Sequence, residues 1–155
     1  MPEFDLVMEF PAMHVGVRTD EKLIAEICFL PRSIPLKKPA NKLAQRAMQQ
    51  FKRYLKNPRA KFDLPHAERG TAFQQRVWGL IETIPSGRTL TYGQVAKQLR
   101  SGARPVGQAC GANWFPLVVP CHRVLASSGI GGFGNHGEGF HLEIKRWLLE
   151  HEKAI

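Results

Sequence analysis

Long apolar runs are missing from these 155 residues. None approaches the roughly 20 residues of a membrane-crossing helix, so no membrane partner is expected. Cysteine is scarce: Cys28, Cys110 and Cys121 are odd in number and widely spaced, which argues against a disulfide framework and suits a reducing compartment. There is no C-x-x-C and no H-x-x-x-H, and the six histidines are scattered. Neither a metal site nor a thioredoxin-type thiol pair is expected. The start, MPEFDLVMEF, has no basic segment and no small-residue cleavage site, so the expectation is no secretory signal and a cytoplasmic protein, or a nuclear one in a eukaryote.

Acid is also in short supply. Thirteen Asp and Glu face 22 Lys and Arg, a formal net charge of +9, and such an excess favours polyanionic partners. From Pro85 to Asn113 there are four bases, Arg88, Lys97, Arg100 and Arg104, and no acid. A second cluster, Lys52, Arg53, Lys56, Arg59 and Lys61, reads more simply as cations at a helix C-terminus on a solvated face.

What is present divides the chain in two. Residues 13–18 and 22–30, joined by 5–10, have the patterning of antiparallel strands. Asn41 caps a helix with Leu43, Ala47, Met48, Phe51 and Leu55 on one face, stopped at Asn57-Pro58. The expectation is an α+β protein, with a small lobe at 1–65 and a second domain at 66–155. In the second domain Thr71 and Gln74 form a capping box, followed by Phe73, Val77, Leu80, Ile81 and Ile84 at helical spacing. Thr91 and Gln94 form another, opening a short helix. Pro105 suits the first position of a third helix, RPVGQACGAN, whose small residues, Gly107 among them, fit close approach of its backbone to a surface or tight helix packing. Helix, turn and helix in an acid-free segment suit DNA binding as well as ordinary enzyme filler.

An apolar strand, WFPLVVP, is expected to deliver Cys121 to its end, ahead of a Gly-rich loop at 127–140 and a last helix carrying Ile144, Trp147, Leu148 and His151. Cys121 lies between Pro120 and His122, with Arg123 next. A free thiol has a pKa of about 8.5 and needs activation, which a histidine oriented by a carboxylate, or a nearby cation, supplies. Glu68, Glu82, Glu138, Glu143, Glu150 and Glu152 are the carboxylates on offer, and spacing does not choose among them. A buried structural thiol remains the bland alternative.

PCHRV, preceded by GTAFQQRVW, IPSGRTLTYGQVA and RPVGQACGAN and followed by GGFG and KRWLLEHE, resembles the O6-alkylguanine-DNA alkyltransferases, the methylated-DNA–protein-cysteine methyltransferases. The resemblance covers residues 70–152 in order; residues 1–65 match in outline only. It implies a ribonuclease H-like N-terminal lobe and a winged helix-turn-helix-like catalytic domain, acting without cofactor or metal. The implied partner is duplex DNA containing O6-alkylguanine, with O4-methylthymine a further candidate substrate, and the implied state is a monomer with no obligate protein partner.

By the same resemblance Cys121 accepts the alkyl group. His122, polarised by Glu152, is the base and works through a water. Asn113 braces the turn, and Tyr92 gives a proton to the leaving guanine. Arg104 enters the stack once the base has rotated out. The carbonyl of Val124 reads the guanine amine, Gly134 faces O6, Phe133 stands where some members have tyrosine, and Arg123 and Gly107 complete the substrate and DNA contacts. A non-catalytic relative that binds alkylated DNA and a Cys-His-Glu hydrolase are the rival readings.

Overall fold

The computed structural model describes residues 3–131 and 139–155. It is an α+β protein that divides into two compact units, Met1–Glu68 and Arg69–Ile155.

In the first unit Leu6–Glu9 (β1), His14–Asp20 (β2) and Leu23–Leu30 (β3) form an antiparallel meander in the order β1-β2-β3. Met13, Val15, Val17, Ile24 and Ile27 have no more than 2% of their surface exposed. Lys42–Lys56 (α1) covers β1 and β2, with Asn41 capping it by accepting from the Ala44 amide at 2.8 Å. Its buried face is Ala44, Ala47, Gln50, Phe51 and Tyr54, so Leu43, Met48 and Leu55 flank the core instead of filling it. The register turns because a polar residue, Gln50, is satisfied inside. Gln50 exchanges two hydrogen bonds with the Asp63 backbone, at 2.8 and 3.1 Å, which removes the cost of burying its amide.

The second unit is built from Ala72–Ile81 (α2), Leu90–Thr91 (β4), Tyr92–Leu99 (α3), Ala103–Gly111 (α4), Val124–Leu125 (β5) and Phe140–His151 (α5). Both capping boxes form: Thr71 and Gln74 exchange side-chain-to-backbone bonds at α2, as Thr91 and Gln94 do at α3. Helices α2, α3 and α4 pack on one another through Val77, Ile81, Val95 and Val106, all 0% exposed. The buried Trp78 indole donates to the Ala109 carbonyl at 2.8 Å and ties α2 to α4. Three residues, 100–102, separate α3 from α4, with Arg100 left-handed at φ +55°.

Two sequence expectations change here. Helix α4 begins at Ala103, so Pro105 is its third residue; it is tolerated because N–H groups of the first turn have no intrahelical acceptor anyway. No strand runs from Trp114 to Pro120. Pro116 and Pro120 supply no N–H to a ladder, and the chain instead makes a tight turn in which the Val119 amide bonds the Phe115 carbonyl at 2.8 Å. Leu117 sits in that turn at φ +78°, a strain on the order of 1–2 kcal/mol, offset by burial of its side chain.

Candidate active site

The turn at 114–119 is held from one side by Asn113. Its amide donates to the Val119 carbonyl at 2.8 Å, and its oxygen accepts from the Phe115 amide at 2.8 Å. The chain then enters one turn of 3-10 helix, Cys121–Arg123, before β5 pairs in parallel with β4. Cys121 and His122 are only 2% and 1% exposed.

Glu152, directly after α5, meets this turn from 30 residues away. Its Oε2 lies 2.7 Å from His122 Nε2 and accepts from Arg123 Nη2 at 3.0 Å; its Oε1 accepts from Arg123 Nε at 2.8 Å. The third guanidinium contact, Nη1, donates to the Ile84 carbonyl at 2.7 Å. Burial alone would raise the Glu152 carboxyl. The hydrogen bonds and charges of His122 and Arg123 outweigh it and hold the group well below the usual carboxylate range. An ionised Glu152 can only accept, so Nε2 of a neutral His122 carries the proton, a tautomer assigned from this bonding pattern. Burial, against the pull of Glu152, pushes the imidazole below its ordinary 6.5 and keeps it neutral. Nδ1 is thereby left as a lone-pair acceptor, buried and without a hydrogen-bond partner among the described residues.

Burial raises the Cys121 thiol well above its ordinary value, and neighbouring Cys110 adds to the rise. Asn113 and the Lys145 charge oppose it. The resting sulfur is therefore a thiol, and it needs a base. Cys28, in β3, is a different case: burial, then Glu26, pushes it up to about 12, with Arg18 opposing.

Lys145 was not legible in the sequence. On α5 it is 0% exposed, donates from Nζ to the Val124 carbonyl at 2.7 Å, and stands 5.6 Å from the Tyr92 ring centroid. Burial brings its pKa down to about 8, while negative charge on Cys110 and Cys121 would hold it up. Its sequence traces are its place beside Ile144 on the buried side of an amphipathic helix and its position at the head of KRWLLEHE.

Tyr92, the first residue of α3, is half-buried against the same two thiols, and burial pushes its hydroxyl above the usual range, so it stays protonated. Arg104 is exposed at the second position of α4. A Cβ built on Gly107 would meet nothing within 4 Å, so packing inside the protein does not require glycine there. Phe133 and Gly134 lie outside the described residues. Thus Cys121, His122, Arg123, Asn113, Tyr92, Val124 and Glu152 are brought together, and Arg104 and Gly107 lie on α4.

A family model described as the DNA-binding domain of 6-O-methylguanine DNA methyltransferase matches residues 72–154. The chain belongs to this family. Among its relatives is the methylated-DNA–protein-cysteine methyltransferase of Mycobacterium bovis, 42% identical over 111 residues, which are 70% of this chain and 64% of the relative. The constitutive enzyme of that name from Bacillus subtilis is 40% identical over 110 residues, 69% and 64% of the two chains. The match thus spans just under two thirds of these relatives' length. Among solved structures, the O6-methylguanine methyltransferase of Mycobacterium tuberculosis superposes with a TM-score of 0.80 at 32% identity, over 96% of this chain and 91% of the other. The OGT of that organism in complex with DNA gives 0.78 at 34%, with the same coverage.

Proposed function

We propose that this protein repairs DNA by moving the alkyl group of O6-alkylguanine, methyl above all, from duplex DNA onto its own Cys121, once per molecule. The observation that carries the reading is the His122–Glu152 bond. It fixes the proton on Nε2 and leaves Nδ1 as a basic nitrogen on the residue next to a buried thiol. His122 draws the thiol proton through a bridging water. The thiolate attacks the alkyl carbon, the carbon–sulfur bond forms as the carbon–O6 bond breaks, and the electron pair returns to the guanine. Tyr92 gives the leaving base a proton, and the proton taken by His122 restores the balance. Lys145 acts as a positioning residue: its ammonium favours the thiolate and steadies the Val124 carbonyl, whose second lone pair is available to the guanine amine. A thioether resists hydrolysis, which makes the transfer irreversible.

The reacting carbon is out of reach in a stacked duplex, so the nucleotide rotates out at a cost of a few kcal/mol. Arg104 fills the gap, and the small outer residues of α4, Gly107 among them, let the helix into a minor groove about 6 Å wide. Residues 66–155 do this work, with 1–65 as a ribonuclease H-like lobe, in a monomer that needs neither metal nor cofactor and works in the cytoplasm, or the nucleus of a eukaryote. Family membership, the described DNA-binding domain and the acid-free run around α3 and α4 support DNA as the partner. Intact-mass measurement after mixing with methylated duplex tests the reading. One added methyl per molecule at Cys121, absent in Cys121→Ala, is expected; repeated turnover, or a methyl placed elsewhere, overturns it.

A further inference from the structure

The first unit carries its own concentration of positive charge. Between Glu26 and Asp63 the chain has ten lysines and arginines and no acid. Five of them, Lys42, Arg46, Lys52, Arg53 and Lys56, are on α1, and all five are exposed. At helical spacing they occupy about 120° of arc opposite the buried Ala44, Ala47, Phe51 and Tyr54, along about 21 Å of axis.

An ordinary solvated helix face mixes its signs. This one sets Lys42 four residues from Arg46 and Lys52 four from Lys56, and like charges at that spacing work against the helix. Favourable interaction with the helix dipole accounts for Arg53 and Lys56 in the last turn, but Lys42, in the first turn, opposes it. Arg46 pairs with Asp63 and Arg53 bonds the Lys61 carbonyl, while Lys42, Lys52, Lys56 and Arg59 make no ion pair among the described residues. A polyanion laid along the face relieves the repulsion. No large exposed apolar residue lies on α1, which leaves nothing to insert into a lipid surface. Exposed lysines spread along a helix suit a repeating phosphate chain, and about 21 Å of helix spans about six phosphates of one strand.

We propose that the exposed face of α1, with the exposed Arg59 three residues past its end, is a second, sequence-independent contact for the phosphate backbone of nucleic acid. It goes beyond the alkyl-transfer reading and stands without it. The test is a salt series of binding to unmodified duplex by fluorescence anisotropy, comparing the full chain with a Lys42→Gln, Lys52→Gln, Lys56→Gln, Arg59→Gln variant. The variant's plot of log affinity against log salt is expected to be shallower by about two to three, with affinity at about 0.1 M salt down ten- to a hundredfold. An unchanged slope overturns the proposal, as does binding to anionic phospholipid vesicles that the substitutions abolish while duplex binding stays constant. Alkyl transfer from the free base O6-benzylguanine, at an unaltered rate in the variant, shows that the second unit is intact. Should the wild type fail to transfer at all, the proposed function falls while the salt slope still decides the α1 contact.

Discussion

Replacing Lys145 with methionine keeps most of the side chain's length and removes its charge together with its hydrogen-bond donor, and two opposite effects are expected. The drop in the ammonium's pKa from 10.5 to about 8 corresponds to about 3 kcal/mol of penalty for burying the charged form. Methionine lifts that penalty but leaves the Val124 carbonyl short of a donor, at about 1–3 kcal/mol. The variant should unfold in urea at neutral pH with a stability equal to wild type or about 2 kcal/mol higher. The sign with pH follows from the depressed pKa of a cation. Between pH 8 and 10.5 the unfolded wild type holds more protons at this position than the folded one, so Lys145's contribution to stability improves as pH rises through that window. Any advantage of the methionine variant shrinks correspondingly. Reactivity moves the other way. Removing an adjacent cation raises a thiol's pKa by about one to two units, so single-turnover transfer from methylated duplex at neutral pH should slow about ten- to a hundredfold, and its pH profile should move alkaline by the same interval. A variant with the wild-type pH profile refutes the electrostatic role, and a loss of several kcal/mol in stability with unchanged transfer shows a role in packing alone.

Glu152→Gln replaces the anion that fixes the His122 tautomer with a neutral amide, free to turn either its oxygen or its NH2 to the imidazole, and leaves the buried Arg123 guanidinium without its counter-charge. A stability loss of about 3–5 kcal/mol in urea unfolding and a transfer rate at least a hundredfold lower are expected. Gly107→Leu meets no neighbour within 4 Å at its Cβ and has a better helix propensity, by about 1 kcal/mol. Thermal unfolding should show unchanged or higher stability, with duplex affinity at least tenfold weaker; unimpaired binding would remove α4 from the DNA surface. Arg104→Ala should slow repair of duplex by more than tenfold while leaving reaction with free O6-benzylguanine near wild type, measured by mass; an equal loss on both substrates counts against insertion into the stack.

Local chemistry was readable before any coordinates. The pairs Thr71–Gln74 and Thr91–Gln94 capped their helices as their three-residue spacing demands, because both partners of a capping box lie within one turn. The antiparallel strands and the short helices separated by a turn followed from alternation, periodicity and punctuation for the same reason. Where burial and hydrogen bonding involve distant residues, the pattern ran out. The α1 stripe shifted once Gln50 found the Asp63 backbone, and two prolines turned an apolar strand into a tight turn.

The amino-acid order alone determined which thiol has a histidine and an arginine beside it, and where acid is withheld around α3 and α4. Spacing left six candidate carboxylates open and the family resemblance named Glu152; only the tertiary structure put it in contact with His122 and brought Lys145 under the Val124 carbonyl. Charge interactions and desolvation act through space, and the proximity that decides them is set by packing between residues far apart in the chain.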